Sequence, residues 1–441
     1  MIDGADAGFA TRPRPATLPV MRILLLSWEY PPRVVGGLGR HVGALARDLA
    51  AQGHEVHVVT RAHSDSGVVE VEQVDGVQVR RVPEPPPVIP FDDLIPWVLS
   101  FNNRLQAAAG QLLRERPFDV VHAHDWLVAY AAAGLKQTWG VPVVATVHAT
   151  EYGRHQGWLP GPMNKLIHQV EWWLTYEARR VIVCSQYMRR QVQEIFQLPV
   201  DKLDVVPNGV AVGDFEVEPA DARATRTALT GPRTRMVLFA GRLEYEKGVQ
   251  TVLQAMQRIR AEVGPTRFFV AGIGTYSREL RREVRRLGLQ RHVRFTGFLE
   301  DQELRRHYAA ADVAVAPSIY EPFGLVAVEA MACGTPVVVG DTGGLREIIE
   351  DGSGLSFTPQ DSDGLADAVI RVLRDEQLAT RMTERGLQRI RSRYDWAAVA
   401  GRTVQIYRQA AVEETQLTGE PRRPLRALLH EASILELDSA G

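Results

Sequence analysis

Short, almost wholly apolar runs alternate with helical periodicity along most of the 441 residues, and no other feature limits the possible folds as strongly. RILLLS (22–27) leads into a Gly-rich turn, after which Val42, Leu45, Ala46 and Leu49 recur at helical spacing until Gly53. EVHVVT (55–60) reads as the next strand, completing a βαβ unit with a loop at the carboxyl end of its first strand. The same scheme predicts strands at VQVRRV (77–82), DVVHAH (119–124), PVVATVH (142–148), RVIVCS (180–185) and DVVPNGV (204–210). It resumes at MVLFAG (236–241), RFFVAG (267–272), VRFTG (293–297), DVAVAPS (312–318) and PVVVG (336–340). Strands that are apolar throughout belong in sheets covered on both faces.

A chain of this length exceeds one hydrophobic core, so two domains are expected. Between 211 and 235, Gly, Pro, Asp, Thr and Arg replace the apolar periodicity, which places the linker there. The expected organisation is a leader without periodicity at 1–20, a first Rossmann-like domain at 21–210, the linker, a second Rossmann-like domain with terminal helices at 236–411, and a loosely held tail at 412–441. The fold class is α/β, two doubly wound domains facing a central cleft, with ligands at the carboxyl ends of the strands.

Composition narrows the partners. With 51 Lys and Arg against 53 Asp and Glu, no global field recruits nucleic acid or an anionic membrane. No apolar stretch approaches the roughly 20 residues that span a bilayer. The two cysteines, Cys184 and Cys333, lie in apolar segments, which points away from a disulfide framework and towards the cytoplasm.

The most informative segment is 321–338, EPFGLVAVEAMACGTPVV, which follows an expected strand and opens a helix. Glu321 and Glu329 are eight residues apart, roughly 12 Å along a helix. A glycosidase pair flanks one bond at roughly 5 to 10 Å, so these two suit opposite ends of an extended ligand, with a phosphate between them at the helix start. From spacing alone, a loop carboxylate and a solvated helix residue are an equally good account. Upstream, AGRLEYEKG (240–248) places Arg242 and Lys247 after a strand, with no DxD-type acidic cluster beside them. In isolation such residues are more often surface charges; beside a diphosphate, two fixed cations replace a metal.

These runs resemble the family 4 retaining glycosyltransferases of the GT-B fold. Residues 317–347 are similar to that family's E-x7-E signature, and 241–248 to its GR-x4-KG element. The resemblance implies that Glu321 binds donor-sugar hydroxyls, that Glu329 binds ribose, that the amides following Phe323, at Gly324 and Leu325, take a phosphate, and that Arg242 and Lys247 hold the diphosphate. Phe298 and Leu299 stand where related enzymes receive the base. It also implies a front-face displacement in which the leaving phosphate helps deprotonate the acceptor, with no cofactor and no metal.

On the first domain, Gly36 and Gly37 let the backbone approach a ligand closely, although the spacing is not that of a dinucleotide fingerprint. In glycogen and starch synthases a Lys-x-Gly-Gly-Leu element occupies this place; here Val34 stands at the Lys position and Arg33 precedes it. His148 resembles a family histidine at the donor sugar, and His124-Asp125-Trp126 resembles the His-Asp-Trp element of glucan synthases. With Arg33 and Glu151, the latter expected in a loop with Arg154 and Trp158, that element forms the expected acceptor side. SWEYPP (27–32) and EWWLTYEARRVIVCSQYM (171–188) favour the same subgroup. The resemblance spans about 21–411 and implies an α-glucan synthase that adds glucose from ADP- or UDP-glucose to an α-1,4-glucan or maltooligosaccharide. Other readings are a family 4 transferase with a lipid, cell-wall or small-molecule acceptor, a nucleotide-sugar epimerase, a non-catalytic nucleotide-sugar module and a glucan phosphorylase.

Overall fold

The computed structural model of the protein describes residues 19–62, 67–86, 89, 94–231 and 233–418. The first sheet contains β1 (Arg22–Leu26), β2 (Glu55–Arg61), β3 (Glu70–Val74), β4 (Val77–Val82), β5 (Val120–His124), β6 (Val143–Val147), β7 (Arg180–Val183) and β8 (Leu203–Val205), in the order β3-β4-β2-β1-β5-β6-β7-β8. Every pairing is parallel except β3 with β4. The second sheet contains β9 (Arg235–Ala240), β10 (Thr266–Ala271), β11 (Val293–Gly297), β12 (Val313–Ala316), β13 (Val337–Gly340) and β14 (Gly354–Phe357), all parallel, in the order β11-β10-β9-β12-β13-β14. In each sheet the order reverses beside the first strand, β1 or β9, and the loops leaving that point have room to hold a ligand. The two doubly wound domains are those expected from the alternation.

Four local expectations change. The strand expected at 204–210 ends at Val205, since Pro207 has no N–H for a ladder; Val210 forms only an isolated bridge with Asp395. The linker contains a helix, Pro219–Leu229, with Pro at its first turn and no buried residue, so it carries no apolar stripe. β3 escapes the pattern because it is a polar, half-exposed edge strand. The tail begins later than 412: the last described helix runs Trp396–Thr418, and Glu413 and Glu414 on it pair with Arg180 and Arg179. Residues 1–18 and 419–441, most of the expected leader and tail, lie outside the described residues.

That last helix follows the second domain in sequence but belongs to the core of the first. Trp396, Val399, Ala400, Val404, Tyr407 and Ala410 are buried with Ile23, Leu25, Val42, Leu45, Val56 and Val58. Tyr407 also meets Nδ1 of the buried His122 at 2.7 Å. The crossover begins at Tyr394, whose carbonyl accepts the N–H of Val210. The sequence leaves open which domain the terminal helices pack on, and the last of them packs on the first.

Candidate active site

Three loops at the carboxyl ends of β9, β12 and β13 touch through backbone. A Cβ on Gly248 would stand 1.9 Å from the Pro317 carbonyl oxygen, and one on Gly343 1.9 Å from that of Glu321. Both have positive φ, 70° and 54°, so only glycine closes the loops. The closure brings together residues 74 positions apart: Lys247 Nζ lies 2.8 Å from Glu321 Oε2, which also accepts from Ser318 Oγ at 3.1 Å. Arg242 is half-exposed, and its pairing with Glu246 is loose at 3.9 Å. The helix after the loop runs Leu325–Ala332 with Gly324 as N-cap, and its first amides have no acceptor within the helix. Phe323 is buried against Tyr394, so its ring serves packing rather than ligand contact.

Glu329 is not the solvated residue that spacing alone allowed. It is buried, accepts from Tyr308 Oη at 3.3 Å, and lies 3.4 Å from an Arg40 nitrogen. Burial pushes its carboxyl up, with Arg40 opposing. Arg40 sits on the helix Gly37–Ala51 of the first domain and also pairs with Asp301 at 2.9 Å, so it bridges the cleft. Beside it, a Cβ at Gly37 would lie 3.1 Å from Leu325, while Gly36 has nothing within 4 Å. The Gly-Gly turn thus faces the start of the signature helix. Buried Glu29 shapes that turn by accepting the N–H groups of Val35 and Gly36 at 2.8 and 3.0 Å. Beyond β11, Phe298 exposes its ring whereas Leu299 is buried.

On the first domain, β5 and β6 end side by side and bring His124, Asp125 and His148 together. Asp125 Oδ1 accepts the His148 N–H at 2.8 Å, and His124 Nδ1 lies 3.2 Å from His148 Nε2. Asp125 has φ 61° and ψ 175°, a backbone region that side-chain-bearing residues rarely occupy and that is concentrated at functional sites. Burial pushes its carboxyl up to about 6, against the His148 N–H and Arg154. Burial, aided by Arg154, pushes His148 down to about 3, so its imidazole is neutral at physiological pH.

The rest of the expected acceptor side is more committed. Trp126 opens the short helix Trp126–Val128 and is partly buried against the core. Glu151 and Arg154 lie on a helical turn, Glu151–Arg154, rather than in a loop, because Thr150 caps it by accepting the Gly153 N–H. The Glu151 carboxylate is occupied by Asn164 at 2.6 Å and His155 at 3.2 Å. Trp158 is 67% exposed and free to stack. Arg33 is held by Glu84 at 2.5 Å and by the Ala62 carbonyl at 2.6 Å, and no described contact joins it to Lys247, Glu321 or His148.

Further contacts close the two domains on each other. Ser185 Oγ donates to the Pro322 carbonyl at 2.6 Å. The Glu347 carboxylate accepts the N–H groups of Gln186 and Tyr187, at the start of the helix Gln186–Phe196. Sequence reading gave no role to Arg40, Glu29, Ser185 or Glu347, although the last three lie within the runs 27–32, 171–188 and 317–347 that carry the resemblance.

Comparison with known proteins agrees with this geometry. The model of Glycosyltransferase Family 4 matches residues 35–213 and that of Glycosyl transferases group 1 matches 226–389, one per domain. A glycogen synthase of Mycobacterium tuberculosis is 42% identical over 417 residues, covering 92% of this chain and 98% of that protein. The chain belongs to the family 4 glycosyltransferases. A D-inositol 3-phosphate glycosyltransferase of Frankia alni is 34% identical, covering 85% of this chain and 95% of its own. Among solved structures, a sucrose-phosphate synthase from Thermosynechococcus elongatus superposes with a TM-score of 0.77 at 28% identity, covering 88% of this chain and 98% of that one. This family 4 glycosyltransferase is a nucleotide-sugar-dependent hexosyltransferase of the GT-B fold. Among its described residues no helix is long and apolar enough to cross a membrane.

Proposed function

We propose that this family 4 transferase is a cytoplasmic, retaining α-glucan synthase of the glycogen type, moving glucose from ADP- or UDP-glucose to an α-1,4-glucan or maltooligosaccharide. The observation that carries the reading is the Lys247–Glu321 pair at 2.8 Å beside the start of the helix Leu325–Ala332, in a chain 42% identical to a glycogen synthase along nearly its whole length. Glu321 holds sugar hydroxyls, the Gly324 and Leu325 amides hold a phosphate, and Glu329 meets the ribose. Phe298 and the Leu299 backbone flank the base. Neutral His148 lies on the sugar from the other domain, and the Gly36-Gly37 turn faces the donor from beside Leu325. His124, Asp125, Trp126, Glu151 and Arg33 belong to the acceptor side, the last two acting only after their present partners yield.

The chemistry needs no covalent intermediate. The bond from the anomeric carbon to the phosphate oxygen breaks, the acceptor oxygen bonds to that carbon on the same face, and the acceptor proton passes to the departing phosphate. Negative charge grows on the diphosphate, where Arg242 and Lys247 stabilise it, so no metal is required. A preorganised group of this kind contributes about 3 to 4 kcal/mol to barrier lowering. Similarity to the inositol phosphate transferase favours one second reading, a small-molecule acceptor in place of the glucan.

The purified protein is to be incubated with ADP-glucose or UDP-glucose, with maltooligosaccharide, with inositol phosphate and with neither, with and without EDTA. Nucleotide release and chain length are followed. Chain growth unaffected by EDTA is the expected result. Transfer only to the inositol phosphate would replace the glucan reading, and loss of activity in EDTA would remove the metal-free one.

A further inference from the structure

We propose that His41, His124 and His148 form a binding site for a late first-row divalent cation, zinc foremost, and that filling it switches the transferase off. The three come from separate elements: the helix Gly37–Ala51, the end of β5 and the residue following β6. One ring nitrogen from each lies within 4.8 Å of the other two. His124 Nδ1 and His148 Nε2 are 3.2 Å apart, and two imidazole nitrogens bound tetrahedrally to one zinc at ~2.0–2.1 Å stand ~3.3 Å from each other. That pair already has the required spacing, and His41 brings the third nitrogen within 4.8 Å of both. The His41 ring approaches His148 edge-on, with centroids 4.7 Å apart.

The polar atoms here are incompletely satisfied. His41 Nδ1 is buried without a hydrogen-bond partner among the described residues, and so is Oδ1 of Asn208, which lies beside His41. Buried polar atoms normally find partners, and a cation held by one nitrogen of each ring and by the Asn208 oxygen would give these two atoms theirs. Imidazole donors suit zinc, copper, nickel and cobalt and do not suit magnesium or calcium. Charges nearby are mixed: Arg154 opposes a cation, and Asp125, bonded to the His148 N–H, favours one. His148 is only partly buried, so an ion enters from its side.

The inhibitory half rests on the proposed function, in which His148 meets the donor sugar; a metal on its nitrogen withdraws it. Binding itself does not depend on that reading. The test uses the full chain, stripped with EDTA and desalted. Zinc is titrated in competition with a chromogenic chelator, and cobalt by its visible ligand-field bands. One equivalent per chain is expected, with affinity weakened about tenfold or more in His41→Phe and unchanged in His292→Ala, in the other domain. If melting temperature or elution shows that His41→Phe is misfolded, His124→Gln is measured in its place. Absence of a saturable equivalent, or binding that survives the substitution in a folded variant, would overturn the site and leave neutral histidines solvated by water. In the transfer assay, zinc is expected to inhibit with the midpoint of its binding curve and EDTA to reverse it; full activity with one zinc bound would overturn the switch alone. A protein that binds zinc but shows no transfer with any acceptor contradicts the proposed function and leaves the site standing.

Discussion

Lys247 and Glu321 satisfy each other's charge in a pocket that exposes about a sixth of each side chain, 17% and 16%. Without Lys247, Glu321 keeps Ser318 and its opening to solvent, so the fold tolerates the loss better than the chemistry does. Lys247→Ala is expected to lower kcat by about 10²-fold or more while shifting the melting temperature by a few degrees; steady-state kinetics beside a thermal melt check both. Asp125 makes a different prediction. Its carboxyl titrates near 6 in the fold against 3.8 ordinarily, so between those values the folded state binds the proton more tightly. The contribution of this carboxyl to stability is then largest on the acid side and falls as pH rises from about 4 to 6, by up to about 3 kcal/mol, against the opposite slope set by the buried neutral histidines. Asp125→Asn keeps an oxygen for the His148 N–H and removes the titration. Denaturant unfolding at pH 4.5, 5.5 and 7 is expected to show the stability of the wild type relative to the variant falling as pH rises.

Elements here are joined through glycine. The loops after β9, β12 and β13 approach to backbone contact, and that contact, rather than any side chain, brings Lys247 to Glu321. Gly248→Ala and Gly343→Ala each drive a methyl into a carbonyl oxygen at positive φ. Each is expected to cost more than about 3 kcal/mol, seen as a large fall in melting temperature and, for any folded fraction, lost turnover. Gly36→Ala meets nothing within 4 Å and is expected to melt like the wild type. The same scale explains which elements the sequence announced. Strands buried on both faces spell continuous apolar runs; β3 at the edge and the exposed helix Pro219–Leu229 carry no such signature.

For the whole molecule, the last helix matters most. It leaves the second domain and completes the core of the first, so the two domains are tied by chain crossing at both 210 and 395 as well as by Glu347 and Ser185. Tyr407 is fully buried there and bonds His122. Tyr407→Ala is expected to cost about 3 to 5 kcal/mol, and Tyr407→Phe about 1 kcal/mol, the net value of one hydrogen bond; chemical denaturation separates the two. Arg40 works at the same scale, since a ribose at Glu329 must share that carboxylate with a residue of the other domain.

The sequence by itself determined the two doubly wound domains, because alternating apolar runs and helical stripes are local patterns, and it marked Glu321, Glu329, Arg242 and Lys247, because their spacing within two short runs matches a family signature. It left open whether Glu329 was buried, where the last helix packed and what Arg33 touched. Those depend on contacts between residues tens to hundreds of positions apart: Arg40 with Glu329, Tyr407 with His122, Arg33 with Glu84. Only the tertiary structure decided them, and only it brought three histidines from separate elements to one point, since an amphipathic face or an imidazole specifies that it needs a partner but not which one.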